Sequence, residues 1–248
     1  MKYLRPLLTI IAFVLLPCFA QDSDAETYRV MRYAEFLPPY YFAESHFQKG
    51  IVLDLFSAIA RETGDTFEFV HVPYKRALYK FDSGAIDIEP MANPKWRKNA
   101  AVLGCYSVPF AVSEQVVVFN AQHSLSSGFP EDLLGKTLGT VMGYTYPMFG
   151  PYFEDGRIRK YELRNETKLI EMLLADRIHQ AVMNKDFALY MAKIHGAKGK
   201  LVISEPCNRV EMMIRVHPSK KHALPRFNKA IKKLLADGTI DKIYAQYR

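Results

Sequence analysis

The residue whose type and setting most invite chemistry is Arg97. It closes the stretch GAIDIEPMANPKWRKN, Gly84 to Asn99, in which a short β-like run (Ala85–Glu89) gives way to a loop punctuated by Pro90 and Pro94. Strand propensity followed by proline breakers and one arginine describes a loop built to present that arginine. The signatures of catalysis are missing by contrast. The seven histidines are dispersed, with no HExxH, and no serine sits in a GxSxG elbow. Leu133–Thr137, LLGKT, imitates the end of a phosphate loop, but Pro130 stands where its first glycine belongs and the segment precedes its strand. A turn at Gly135 after a short helix accounts for it. No metal or cofactor is expected.

The elements that must position Arg97 follow from periodicity. Tyr28–Tyr33 reads as a strand that runs into AEFLPPYYF. After Gly50, Val52, Leu55, Phe56 and Ile59 fall on one face of a helix stopped by Gly64; Phe67–Val72 alternates as a strand, and Tyr74–Ser83 is a helix stopped by Gly84. A second β/α set follows: strand 136–142, helix 166–175, strand 178–183, helix 186–194 and strand 201–204. Between and after the sets lie the apolar runs Gln115–Phe119 and Val210–Val216, and 224–247 returns as helix, Gly238, helix. This pattern predicts an α/β protein of two lobes, each a mainly parallel sheet flanked by helices, joined by two crossing segments near Glu114 and Glu205. The lobes are expected at 28–113 plus 206–248, and at 114–205.

The N-terminus places Lys2 and Arg5 before an apolar run, Leu7–Leu16, and ends in small residues. It reads as a secretory signal peptide, residues 1–20, cut after Ala20. Its removal takes two positive charges and no acid, so the formal charge falls from +7 to +5. Export and the scattered placement of Lys and Arg argue against nucleic acid as a partner. Cys18 departs with the leader, and the two cysteines that remain in an exported chain, Cys105 and Cys207, are expected to pair.

Several blocks in order resemble one family: PPYYF at 38–42, GIVLDLFSAIARETG at 50–64, the segment from GAID to Arg97, LGTVMGYTY at 138–146 and the tail FNKAIKKLLADGTIDKIYAQY. They are similar to the periplasmic solute-binding proteins of ABC importers, polar amino-acid type (solute-binding family 3), across essentially the whole exported chain. The resemblance implies a periplasmic monomer of the two-lobed periplasmic-binding-protein fold, closing on a small carboxylate-bearing ligand and delivering it to a membrane permease without chemistry. It implies that Arg97 holds the ligand carboxylate, for which its planar fork is suited; the residues alone equally allow pairing with an internal carboxylate. It further implies that Gly143, Tyr144 and Thr145 form a loop and helix start donating to the same carboxylate, that Tyr40 covers the ligand, and that Tyr74 faces the cleft. Tyr41 and Phe42 are expected in the core. Two departures concern the ligand's amine. Ala92 replaces a hydroxyl residue, and Asn184 replaces an aspartate, with Asp186 or Glu89 as substitutes for its charge. A dehydratase-like enzyme using Glu89 or Asp186, and a sensor docking to a receptor, are the alternatives.

Overall fold

A computed structural model describes residues 25–32, 37–43, 47–123, 127–197 and 199–248. The leader, 1–20, lies outside them, and among the described residues no helix is long and apolar enough to cross a membrane. The chain runs β1 (Thr27–Arg32), α1 (Ile51–Thr63), β2 (Thr66–His71), α2 (Tyr74–Asp82), β3 (Ile88–Ala92), β4 (Cys105–Tyr106), β5 (Ala111–Asn120), β6 (Thr137–Val141), α3 (Gly150–Glu154), β7 (Arg159–Leu163), α4 (Glu166–Leu174), β8 (Gln180–Asn184), α5 (Lys185–Ile194), β9 (Leu201–Ile203), β10 (Asn208–Val216), α6 (Leu224–Ala236) and α7 (Thr239–Ala245). The strands follow the order β2-β1-β3-β10-β5-β8-β6-β7, with β4 beside β10 and β9 beside β5.

In each half a parallel set forms, β1 with β2 and β3, β6 with β7 and β8, as the β/α alternation predicts, and β8 and β9 add antiparallel pairs with β5. The halves meet through two long antiparallel strands. The first part of β10 pairs with β5, Asn208 opposite Gln115 through Met212 opposite Ala111, and its second part pairs with β3 and β4. Each half thereby shares one strand with the other, so the two crossing segments expected from the apolar runs exist as a two-stranded ribbon.

Two sequence expectations need correction. The third strand begins three residues later than the β-like run, because the Ala85 and Ile86 amides close the end of α2 on Lys80 O. Pro90 consequently lies inside β3 and not beyond it. It is accommodated by a bulge: between the Glu89–Arg215 and Ala92–Met213 pairs, β3 holds one residue more than β10, and a residue without an N–H fits such a break in the ladder. The expected Cys105–Cys207 bond is absent; both thiols are free. Cys105 pairs with Val216 at one end of β10 and Cys207 precedes its other end, nine residues away. At about 3.3 Å per residue that is about 30 Å, where a disulfide needs Cα atoms about 4.4–6.8 Å apart.

Local chemistry explains how α1 is set. Ile51, Val52, Leu55, Phe56 and Ile59 are buried, and Gly64, at φ +77°, ends the helix with its N–H on Ala60 O. At the other end Gly50 has φ +104°, and a Cβ there would stand 2.4 Å from the Tyr40 carbonyl oxygen. Only glycine permits that approach. The first amides of α1 consequently bond to Pro39 O and Tyr40 O, at 2.9 and 3.3 Å, which fixes the PPYYF loop against the helix end. Tyr41 and Phe42 are buried as expected.

Burial pushes the Cys207 thiol up to about 11, whereas Cys105 is half-buried. We expect a thiol reagent to titrate both cysteines in denaturant without reductant and, under native conditions, to modify Cys105 well before Cys207. A count that rises on reduction would contradict the free thiols.

Candidate functional site

Arg97 ends a short 3-10 turn, Pro94–Arg97, directly after β3. Asn93 holds that turn: its Oδ1 accepts the Lys95 N–H at 2.9 Å and its Nδ2 donates to Glu211 O at 2.8 Å. The guanidinium packs over the half-exposed Tyr74 ring, 5.7 Å from its centroid. It also forms a two-pronged pair with Glu89, Nε to Oε2 at 3.1 Å and NH2 to Oε1. The internal-carboxylate alternative is therefore realised in this structure.

Glu89 serves a second arginine. Arg215, fully buried, donates from NH1 to Glu89 Oε2 at 2.8 Å, from Nε to Leu103 O at 3.0 Å and from NH2 to Val102 O, with its guanidinium 3.9 Å from the Phe81 ring centroid. Gly104 makes room for it; a Cβ there would lie 2.8 Å from Arg215 Cγ. One carboxylate thus faces two guanidiniums, and the cluster keeps an excess positive charge. Arg97 is its more exposed member, at 11% against 1% for Arg215. With both arginines on it, Glu89 is not a free counter-charge for a ligand's ammonium.

The second half contributes the opposite wall. Gly143, at φ +80°, turns the chain after β6, and the Tyr144 N–H closes that turn on Val141 O at 3.1 Å. The expected helix start is not there: the next helix, α3, begins at Gly150. Among the described residues no partner takes the Gly143 or Thr145 amide. Tyr144 is half-exposed, and its phenol feels both the Glu166 carboxyl and the Tyr74 phenol. Tyr144 of the second half and Tyr74, which packs on Arg97 in the first, are thus in electrostatic range of each other.

Tyr40 does not stand open over a ligand. It is buried, and its hydroxyl reaches Asn184 Oδ1 at 3.0 Å and Asp186 Oδ2 at 3.1 Å. Asn184 is the N-cap of α5, its Oδ1 accepting the Phe187 N–H at 3.1 Å and its Nδ2 donating to Ser113 Oγ at 3.0 Å. Asp186 lies in the first turn of α5, where a negative charge is favoured, and accepts from Arg248 Nε at 2.7 Å. Phe42 continues this seam, edge-on to Tyr190 at 5.4 Å and stacked on Tyr247 at 5.9 Å. Ala92 is wholly buried in β3.

One site residue escaped the sequence reading. Glu166 begins α4 and is 7% exposed. Its Oε1 accepts the Asn184 N–H at 3.1 Å, and burial pushes its carboxyl up to about 7. The surrounding phenols of Tyr40, Tyr144 and Tyr146 also lie within its electrostatic reach. The signal available in the sequence was Asn165-Glu166, a capping residue followed by an acid, which marks a helix start and says nothing of burial.

The sequence profile of the bacterial extracellular solute-binding proteins, family 3, matches residues 30–248. The chain belongs to that family. This solute-binding protein is 25% identical to a probable histidine-binding protein of Neisseria gonorrhoeae, over 99% of its own length and 95% of the relative's. An ancestral arginine-binding protein bound to arginine has a similar structure, with a TM-score of 0.70 and 25% identity over 89% of this chain and 97% of that one. An ancestral arginine-binding protein bound to glutamine gives a TM-score of 0.68 and 26% identity, over 89% of this chain and 97% of that one. At 18% identity, an ABC uptake transporter substrate-binding protein of Streptococcus pneumoniae with bound histidine shares the fold, with a TM-score of 0.71 over 89% of this chain and 92% of that one. The two-lobed fold and the solute-binding role expected from the motifs are those of this family.

Glu89→Gln leaves two guanidiniums facing an uncharged amide, and removing one partner of a buried ionic group costs roughly 3–5 kcal/mol. We expect that loss in denaturant unfolding, with a clearly smaller loss for Arg97→Ala, which leaves the Glu89–Arg215 pair intact. Equal losses would show that the rim arginine is as structural as the buried one. Tyr40→Phe removes the hydroxyl between the halves and should cost about 1–3 kcal/mol.

Proposed function

We propose that the solute is an amino acid, gripped by its two charged ends between the lobes and delivered in the periplasm to the permease of an ABC importer. What supports this reading is the difference of charge between the two halves. The Arg97 side, where two guanidiniums share Glu89, has positive charge in excess, and the Glu166 side has a buried carboxylate with one hydrogen bond. A zwitterion complements both. Arg97 takes the carboxylate with the free amides of Gly143 and Thr145, Tyr74 and Tyr144 flank the ligand, and Glu166 takes the ammonium in place of the aspartate that Asn184 replaces. Asn184 and Asp186 hold Tyr40 and so fix the floor. The names of the relatives, which bind histidine, arginine and glutamine, support the same class of solute.

Closure is assigned to the β5–β10 ribbon, with the lobes at 28–113 plus 206–248 and at 114–205. Glu114 clasps Arg209 across the ribbon at 2.8 Å and Lys185 of α5 at 2.6 Å. A ligand that touches both walls stabilises the closed state by its differential affinity. The raised Glu166 favours a second reading, an acid–base enzyme on this scaffold. The two readings separate by whether the bound amino acid is recovered unchanged.

The test is calorimetric binding of the twenty amino acids and of the corresponding amine-free carboxylates. An amino acid should bind, Arg97→Ala should weaken it at least about 30-fold, the lower end of what truncating a buried charge pair costs, and the amine-free analogue should bind poorly. Preference for the amine-free acid would overturn the role of Glu166.

Glu166 also predicts a pH effect on the ligand-free protein. Its folded pKa, about 7, lies above the ordinary 4.5, so between these values the folded state keeps a proton that the unfolded chain releases. Stability is then full below the lower value and falls as pH rises through 7, by about 3 kcal/mol. Glu166→Gln should raise Tm at pH 8 and change it little at pH 4.5. An equal effect at both pH values would contradict the assignment.

A further inference from the structure

We propose a second, solute-independent site: a divalent transition-metal site, of the kind zinc occupies, made by His123, Asp176 and His179. The three residues come from two places that folding brings together. His123 ends the 3-10 turn that follows β5, while Asp176 and His179 lie in the connection from α4 to β8. Each offers one ligand atom, and the three atoms lie within 4.8 Å of one another.

The distances suit an ion. His123 Nε2 stands 3.1 Å from Asp176 Oδ1, and His179 Nε2 stands 3.8 Å from the same oxygen. Zinc binds imidazole nitrogen and carboxylate oxygen at about 2.0–2.2 Å, which puts tetrahedral ligand atoms about 3.4 Å apart. The two observed separations fall either side of that value. The imidazole rings are stacked, with centroids 3.8 Å apart and planes within 17°, so an ion is taken up with a rotation of one exposed ring that turns both in-plane Nε2 lone pairs onto it.

The same carboxylate oxygen has one further donor. The buried Asn120 donates its Nδ2 to Asp176 Oδ1 at 3.2 Å and to Leu173 O at 3.0 Å, an outer-shell arrangement that fixes a ligand in place. Two imidazoles and a carboxylate suit zinc, nickel or copper better than calcium or magnesium. All three side chains are exposed, so water completes the coordination. The site caps the start of β8, whose other end carries Asn184 at the cleft. Five residues of strand separate the two, about 15 Å, so an ion here clips the end of β5 to the α4–β8 connection without entering the solute site.

The experiment is calorimetric titration of Zn²⁺ alone into the untagged protein after treatment with EDTA. One ion per chain is expected, with His123→Ala and His179→Ala each weakening binding at least about 10-fold, and at about 100 times its Kd the ion should raise Tm by about 5–10 °C. The side chains are exposed, so both variants should keep the wild-type Tm in EDTA, and amino-acid binding should survive in them. The proposal is overturned if 100-fold excess Zn²⁺ over protein gives neither heat nor a Tm shift. It is equally overturned if the double variant His123→Ala/His179→Ala binds as the wild type does, which would put the ion on other histidines.

Discussion

The arrangement rests on one buried carboxylate. Glu89 sits in β3 opposite Arg215 in β10, at the point where β10 leaves β5 and joins the first sheet. Charges removed from water are tolerated only when paired and fully hydrogen-bonded, and this cluster meets that demand with two guanidiniums, two backbone carbonyls and the face of Phe81. The bulge at Pro90, the absent Cβ at Gly104 and the Asn93-capped turn all serve to bring the two arginines onto that carboxylate. Because Glu89 is shared, the arginine nearer the cleft is oriented without being neutralised. The cluster of one carboxylate and two guanidiniums keeps one positive charge in excess.

Across the cleft the physics has the opposite sign. Glu166 is desolvated with one backbone donor among the described residues, so its ionised form is disfavoured. Asp186, by contrast, is tied to Arg248 and Tyr40 and works as part of the seam between the halves. The position vacated by an aspartate at Asn184 thus keeps a structural role: the amide caps α5, receives Tyr40 and lends its own N–H to Glu166. Asn184 connects the aromatic seam to the buried carboxylate, which makes it an organiser of the site even though it bears no charge.

Much of this was legible in the sequence. Periodicity and glycine stops located α1, α2, α4, α5 and the parallel pairs, because amphipathic spacing is a local property that burial then uses. The ordered blocks identified the family, and the crossing ribbon followed from two apolar runs between β/α sets. The edge strand β7, RKYEL, was not legible, because nearly all of it is exposed and charged, and it forms only by pairing with β6. The start of β3 was misplaced because the end of α2 captures the Ala85 and Ile86 amides, a competition between neighbouring elements that propensity does not express.

The sequence by itself determined most of the helices and parallel strands, the place of Arg97 just beyond a strand end and membership of a solute-binding family. Tertiary structure alone decided the rest. It placed Cys105 and Cys207 at opposite ends of one strand, where residues close to the same crossing stand too far apart to bond. It gave Arg97 a buried carboxylate partner, buried Glu166 beneath the Asn184 amide, and gathered His123, Asp176 and His179. Each of these depends on which atoms from distant segments share a low-dielectric or solvent-exposed space, and that proximity is fixed by strand order and register, not by spacing along the chain.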